Sequence, residues 1–292
     1  MLIDPARGAE YVRNGVEICL IKVLPTLFPF VLLSSFLCTL PPPRVISKVL
    51  GRAFGVGLHG ASALISGIIS GFPVGALCVS ELYRSGKMDK DEAQRTLCFA
   101  NNPSPAFVIG VIGGIVLQNT AQGVFLFIIL TLFSWLQARV LYSFRSFRDV
   151  GKYCSAGVEN KTQKSDSTAK IKESARSMLN IGAFIVTFTV LGEYTKLALY
   201  RLSPTLASLF CGALELSGGV LSLAQGSVGG RMTFALCGAV CSFSGLSVQM
   251  QVRSALAGTD LSLKGYYITR IVSPLPVALL CYLFYGALSV FF

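Results

Sequence analysis

Residues 70–75 read Ser70-Gly71-Phe72-Pro73-Val74-Gly75, and they interrupt a stretch of apolar sequence that is otherwise long enough to cross a lipid bilayer. A second interruption, Ser242-Phe243-Ser244-Gly245-Leu246-Ser247, lies in a later apolar stretch. A spanning helix needs about 20 apolar residues, because hydrocarbon offers the backbone no hydrogen-bond partners. Glycine and proline inside such stretches predict helices that break at membrane depth.

The composition of the chain is typical of a membrane protein. Its 292 residues are 53% hydrophobic and only 13% charged, whereas soluble domains carry roughly 25% charged residues. Apolar stretches occupy residues 18–40, 53–79, 106–117, 123–141, 178–199, 206–224, 232–256 and 268–292. We therefore predict an all-α polytopic membrane protein with about seven or eight hydrophobic segments, some of them broken or re-entrant. Disordered, collagen-like, coiled-coil and secreted disulfide-rich classes are excluded.

The formal net charge of the chain is +11, and nine of its 25 lysine and arginine residues lie in a central basic segment, residues 139–176, against four acidic residues. Lysine and arginine beside membrane helices stay on the cytoplasmic side, so we place this segment inside the cell. A nucleic-acid interface requires a binding motif or aromatic support beside the charge, and the segment carries no such motif. We expect a multi-pass protein of the cell membrane, in contact with the lipid bilayer and with no nucleic-acid partner.

The basic segment separates two halves in which serine, glycine and proline interrupt the apolar sequence at similar spacings. Ser70 lies sixteen positions before Gly86, and Ser242 lies sixteen positions before Gly258. In each half a proline-containing string then opens a further apolar stretch. We predict a first membrane repeat at residues 1–142, a cytoplasmic linker at residues 143–177 and a second membrane repeat at residues 178–292.

Matching breaks in two halves of a membrane protein indicate a transporter binding site. Backbone N–H groups at the start of a half-helix carry the positive end of its dipole, which favours an anionic substrate. The candidate substrate-binding residues lie in or beside the breaks: Ser70, Gly71, Pro73, Gly75, Asn101, Asn102, Ser104, Ser242, Ser244, Gly245, Ser247 and, as a counter-charge, Arg270.

These residues could also have purely structural roles. Glycine and proline also kink membrane helices or let them pack closely, without forming a site. The string Asn-Asn-Pro-Ser-Pro at residues 101–105 is also compatible with a surface turn, since its prolines exclude the middle of a helix. The string Ser-Pro-Leu-Pro at residues 273–276 predicts a break in the last apolar stretch.

Glu215 lies within an apolar stretch, with Ser217-Gly218-Gly219 just after it. A carboxylate at membrane depth costs roughly 2.5–3.5 kcal/mol on insertion scales, so such a residue is a functional candidate. We consider Glu215 a candidate for proton or ion coupling. The alternative is a structural ion pair with Arg253 or Arg270.

Enzyme motifs are absent from the sequence. It contains no phosphate-binding GxxxxGK[ST] loop, and its single histidine, His59, would have to serve every histidine-dependent metal or catalytic site. We therefore expect no enzymatic activity, no metal site and no cofactor.

The motifs resemble those of the YlbJ family of sporulation integral membrane proteins, which carry nucleoside-recognition (Gate) domains. The matching stretches are residues 24–30, 70–76, 80–83, 99–105, 243–249 and 258–261, so the resemblance extends over nearly the whole chain. It implies paired re-entrant elements similar to those of concentrative nucleoside carriers. It also implies a role in moving dipicolinic acid into the forespore across its outer membrane.

Residues and resemblance together predict a secondary transporter or facilitator of a small organic anion, with dipicolinic acid as the first candidate. The alternatives are a nucleoside or nucleobase transporter, and a non-transporting membrane protein that assembles partners during sporulation. Expected protein partners are further copies of the chain or other sporulation membrane proteins.

Overall fold

A computed structural model of the protein describes residues 5–37, 43–143, 167–224, 226 and 228–291. Every regular element in these ranges is helical, which confirms the predicted all-α class. The α-helices are α1 (Pro5–Glu17), α2 (Leu24–Leu37), α3 (Arg44–Phe54), α4 (Leu58–Ser70), α5 (Val74–Arg84), α6 (Lys90–Ala100), α7 (Thr120–Ser143), α8 (Ser167–Leu199), α9 (Pro204–Leu214), α10 (Leu216–Leu223), α11 (Gly230–Phe243), α12 (Gly245–Ala255), α13 (Lys264–Val272) and α14 (Pro274–Phe291). Two π-helical segments, Ile18–Val23 and Ala106–Val116, complete the set. Most of the predicted linker, residues 144–166, lies outside the described ranges.

Several helices in the described ranges are long and apolar enough to cross a membrane. Four spans meet this criterion: Thr120–Val140, Ser167–Leu199, Gly230–Ala255 and Lys264–Gly286. A fifth arises if Val45–Phe54 and Leu58–Ser70, which meet at an angle of 87°, form one broken span. Shorter apolar helices lie at Leu27–Phe36, Ala106–Val116 and Pro204–Leu214. Each predicted apolar segment therefore has a helical counterpart, but fewer than predicted can span the bilayer unaided.

The first helices form a rod that runs antiparallel to α8. The ring centroids of Tyr11 and Tyr194 lie 5.1 Å apart at one end, and Lys170 Nζ donates to the carbonyl of Ser35 over 2.7 Å at the other. The rod is helical from residue 5, whereas the sequence predicts an apolar helix only from residue 18. At 33 residues, α8 is about 50 Å long. Because a bilayer core is about 30 Å thick, the polar first turns of α8 extend beyond it.

Glycines at matching positions of the two halves adopt the same backbone conformation. Gly86 has φ 68° and Gly258 has φ 80°, and both end a polar turn after a helix. The breaks also share positive φ angles, at Gly71 in the first half and at Ser244 and Gly245 in the second. Each half then continues with a short amphipathic helix, α6 or α13.

The halves contact each other through corresponding helices, α5 with α12 and α6 with α13. Arg84 Nη2 donates to the carbonyl of Ala257, and Thr269 Oγ1 donates to the carbonyl of Cys98 over 3.4 Å. Each contact joins residues at nearly equivalent positions of the two halves, as a two-fold arrangement requires. The division into two repeats stays a prediction.

The first break lies between two apolar clusters. Phe72 packs against both, one built around α5, α8 and α12 and the other around α7, α11 and α14. Large apolar side chains on the outside of the bundle are exposed, among them Leu179 at 75% and Leu275 at 81%. An exterior of this kind suits lipid rather than water.

Candidate functional site

The first break lies between α4 and α5. Gly71 has φ 78°, the Phe72–Pro73 peptide is cis, and α5 begins at Val74. A Cβ at Gly71 would lie 2.7 Å from Ser104 N, so glycine is required both for backbone conformation and for close packing. The break is thereby held against the string at residues 101–105.

Asn101 caps the half-helix that follows the first break. Its Oδ1 accepts a hydrogen bond from Ala76 N over 2.9 Å, near the start of α5. Gly75 also packs directly on the carbonyl of Ala100, where a Cβ would clash. The N–H groups freed by the break are thus partly satisfied by the neighbouring string.

The string at residues 101–105 is not a surface turn. Asn101 is fully buried and Asn102 is 8% exposed. Asn102 Nδ2 donates to the carbonyl of Phe99, and Asn102 Oδ1 accepts from Ser134 Oγ over 2.9 Å. Ser104 Oγ accepts from Phe107 N and so starts the π-helical segment. The surface-turn alternative is therefore wrong.

The second break separates α11 from α12 at Ser244, which has φ 73°. A Cβ at Gly245 would lie 3.2 Å from both Gly212 O and Leu216 N, so this break packs on the α9–α10 junction. Gln249 Nε2 donates to the carbonyl of Phe243 over 3.2 Å and satisfies a backbone group that the break leaves free.

The serines of the second break are buried and bonded within the protein. Ser242 Oγ and Ser244 Oγ donate to backbone carbonyls of α11, and Ser247 Oγ accepts from Gln251 Nε2 over 3.3 Å. Ser70, at the first break, is also buried. These side chains surround the breaks without being exposed to solvent.

At residues 273–276 regular helix is interrupted only at Ser273, between α13 and α14, and the chain keeps its helical course. Ser273 has helical angles, φ −63° and ψ −37°, and Lys264–Gly286 is one apolar span. Pro274 and Pro276 lie in the first turn of α14, where proline is tolerated because the N–H groups there need no helical partner.

Arg270 connects the two breaks. It lies on α13 and is only 3% exposed. Its Nη2 donates to the carbonyl of Asn101, and its Nη1 donates to the carbonyl of Ser242 over 3.4 Å. The guanidinium also lies 5.1 Å from the ring centroid of Tyr266. One residue thus holds the exit of α6 and the end of α11 together.

The charge of Arg270 has no acidic partner in the described parts of the chain. Lys90 pairs with Asp260 on the surface, whereas the buried Nε of Arg270 has no hydrogen-bond partner. Burying a cation is costly unless it is paired, and neutral carbonyls compensate it only in part. The junction of the breaks therefore carries excess positive charge.

Glu215 forms a further break, between α9 and α10. It is 4% exposed and accepts hydrogen bonds from Ser217 N over 3.1 Å and Gly218 N over 2.6 Å. Glu215 is thus the N-cap of α10, two residues before the string Ser217-Gly218-Gly219. The described residues show no ion pair from Glu215 to Arg253 or Arg270, so that alternative is wrong.

A cavity of about 300 Å³ borders Glu215. Glu193, Lys196 and Thr189 of α8 also line it, together with residues of α1. Thr189 Oγ1 is buried without a hydrogen-bond partner. The cavity therefore brings polar groups of the first rod, α8 and the α9–α10 junction together.

The sequence did not reveal the role of Glu92. This residue lies on α6, and its side chain is buried against the start of α4. Its Oε1 accepts from Gly57 N over 2.6 Å, and a Cβ at Gly60 would lie 2.6 Å from the same oxygen. Burial raises the pKa of Glu92, while the N–H of Gly57 opposes the shift. The signal was the glycine-rich segment at residues 55–60, but nothing local relates it to α6.

Within the described ranges, no group of three His, Cys, Asp or Glu side chains is arranged to hold a metal ion. The cysteines in those ranges are free and buried. Most of their surroundings are apolar helix contacts, which agrees with a packing role.

Comparison with known proteins agrees with the resemblance in the motifs. The chain is 25% identical, over 310 aligned positions, to the sporulation integral membrane protein YlbJ of Bacillus subtilis (strain 168). The alignment covers 93% of this chain and 76% of that protein. No family model matches the chain, and no solved structure matches it. The protein is a multi-pass, all-α membrane protein related over nearly its whole length to the sporulation integral membrane protein YlbJ.

Proposed function

We propose that the protein is a secondary transporter or facilitator of small organic anions and has no enzymatic activity. The observation that carries this proposal is the buried, acid-free guanidinium of Arg270 at the junction of the two breaks. Broken helices near the middle of a membrane are where transporters place their substrate sites. A buried cation there favours a negatively charged substrate.

The contacts of Arg270 suggest how binding is coupled to movement. Guanidinium groups bind carboxylates through two parallel, charge-assisted hydrogen bonds. A substrate carboxylate would compete with the carbonyls of Asn101 and Ser242 for the same N–H groups. Replacing this bridge would loosen the contact between the two halves, so occupancy of the site would alter their relative position.

Dipicolinic acid is the proposed substrate. It is a planar dianion with a ring nitrogen, and the resemblance to a family of sporulation membrane proteins supports this choice. The amides of Asn101 and Asn102 and the serine hydroxyls at the breaks are neutral donors and acceptors, which a substrate would take over from their present partners. We accordingly propose a role in sporulation, in the outer forespore membrane, with further copies of the chain or other sporulation proteins as partners.

Glu215 is the proposed coupling group. Its buried carboxylate borders a cavity and receives two backbone N–H groups, but no cation within the described residues. Gly245 of the second break packs against the same junction. A proton or ion bound at Glu215 would therefore act on the backbone that forms the second break.

The proposal is tested by flux into vesicles. Purified protein in phosphatidylcholine vesicles should take up labelled dipicolinate faster than protein-free vesicles, and unlabelled uridine or inosine should not compete. Competition by nucleosides together with absent dipicolinate uptake would favour the nucleoside carrier. If neither compound crosses the membrane in vesicles with correctly inserted protein, transport is rejected and the assembly role is favoured.

A further inference from the structure

A cavity of about 620 Å³ lies beside the first break, between α5, α8 and α12. Pro73 and Leu77 form its wall on α5, and Gln251 and Ser254 form its wall on α12. Small-molecule sites are typically clefts of about 300–1,000 Å³. The volume thus suits a compound with a single aromatic ring.

Cations dominate the charge of this cavity. Arg84, Lys172 and Arg176 line it, and Glu173 is its one acidic lining residue. Within the described chain, none of the three cations has an ion pair in the structure, and Arg84 donates to a backbone carbonyl instead. A concave surface with uncompensated positive charge concentrates anions and raises their rate of association. We call it the basic cavity.

The basic cavity joins a predicted cytoplasmic surface to the first break. Lys172 and Arg176 lie in the polar first turns of α8, within the segment at residues 143–177 that the sequence predicts to be cytoplasmic. Pro73, at the inner wall, is the N-cap of α5. The first N–H groups of α5 mark the positive end of its dipole. Both ends of the cavity therefore favour negative charge.

We propose that the basic cavity is a binding site for a small dicarboxylate, at which the substrate is captured from the cytoplasm before it reaches Arg270. The ligand class rests on the proposed function, whereas the position and charge of the site do not. Arg84 and Gln251 belong to different halves, so the site is shared between them.

Equilibrium binding tests the site without requiring transport. The full chain in neutral nanodiscs is titrated with dipicolinate in two buffers, one with about 20 mM salt and one with about 500 mM salt. The double variant Lys172→Gln, Arg176→Gln should bind about tenfold more weakly at low salt, and the difference should shrink at high salt, where charges are screened within about 4 Å. Pyridine-2-carboxylate, with one carboxylate, should bind more weakly than dipicolinate.

The matched control is Arg201→Gln, in the turn that follows the C-terminal end of α8 and outside the cavity lining. It should bind dipicolinate as the unaltered protein does. Equal affinity of the double variant and the unaltered protein at low salt, or no binding by the unaltered protein, would overturn the site. Complete displacement of dipicolinate by phosphatidylglycerol in the nanodisc would assign the cavity to lipid headgroups and also overturn it.

Measurements of uptake distinguish a failure of the cavity proposal from a failure of the proposed transport function. The double variant should raise the substrate concentration for half-maximal uptake and leave the maximal rate within about twofold, since it acts on capture. Salt-sensitive binding without uptake would support the cavity and reject transport. Uptake whose half-maximal concentration is unchanged by the double variant would support transport and overturn the cavity.

Discussion

Arg270 donates a hydrogen bond to the backbone carbonyl of Asn101, a residue 169 positions earlier in the chain. This bond ties α13 of the second half to the end of α6 in the first. Because Asn101 Oδ1 also caps α5 after the first break, the same residue contacts both the break and the buried cation. Changes at either residue should therefore affect the relation between the halves.

Substitution of Gly71 should be more damaging than substitution of comparable glycines. Gly71→Ala adds strain at φ 78° and a contact of 2.7 Å with Ser104 N. We expect a loss of about 1–3 kcal/mol in the free energy of unfolding. Gly86→Ala, with φ 68° but open space, should lose less, and Gly110→Ala should be neutral. Thermal unfolding in detergent measures the series, and equal losses at all three positions would refute the packing of this break.

Asn102 and Ser134 share one hydrogen bond, so their alanine variants distinguish structure from substrate binding. Both Asn102→Ala and Ser134→Ala remove the 2.9 Å bond and should destabilise the protein by about 1–3 kcal/mol. If Asn102 also contacts the substrate, Asn102→Ala should lower dipicolinate uptake well beyond Ser134→Ala. Equal uptake by the two variants would limit Asn102 to a structural role.

Glu215 has a capping role that glutamine retains in part. Glu215→Gln keeps an acceptor for the N–H groups of Ser217 and Gly218, whereas Glu215→Ala removes it and should lose about 0.5–2 kcal/mol of stability. Uptake by Glu215→Gln should no longer respond to an imposed proton or sodium gradient. A full gradient response in that variant would show that coupling lies elsewhere.

The hydrogen bonds that Asp260 accepts from Tyr83 and Lys90 should contribute to stability except at acidic pH. Its hydrogen bonds with Lys90 and Tyr83 lower the pKa of Asp260 below the ordinary value of 3.8. A lowered pKa stabilises the folded state above the unfolded-state value, and this contribution is lost as pH falls through the folded-state value. The difference in Tm between the unaltered protein and Asp260→Asn should be constant from about pH 5 to 8 and shrink below about pH 4. A difference that grows in acid would contradict the contact.

Periodicity and composition predicted the helical class and the positions of the breaks near residues 71–73 and 244–245. Glycine and proline there act locally, so the sequence suffices to locate them. The bend at residues 55–57 and the helical geometry of residues 273–276 were missed, because tertiary packing decides how strongly glycine or proline interrupts a helix.

The sequence predicted which residues lie at the site more fully than it predicted their hydrogen-bond partners. Arg270 was expected as a counter-charge because it precedes a proline string, yet that string is helical and Arg270 instead bridges Asn101 and Ser242. Those contacts span 169 and 28 positions, so no local pattern predicts them. The capping role of Glu215 was missed because a lone carboxylate in apolar sequence does not reveal its hydrogen-bond partners.

The most direct test of anion transport compares two arginines of the second half. Arg270 is buried at the junction of the breaks, whereas Arg253 is exposed on α12. Labelled dipicolinate uptake into phosphatidylcholine vesicles should fall at least about tenfold for Arg270→Gln. It should stay near the unaltered rate for Arg253→Gln, with equal insertion of both. Undiminished uptake by Arg270→Gln would contradict the central role of this cation.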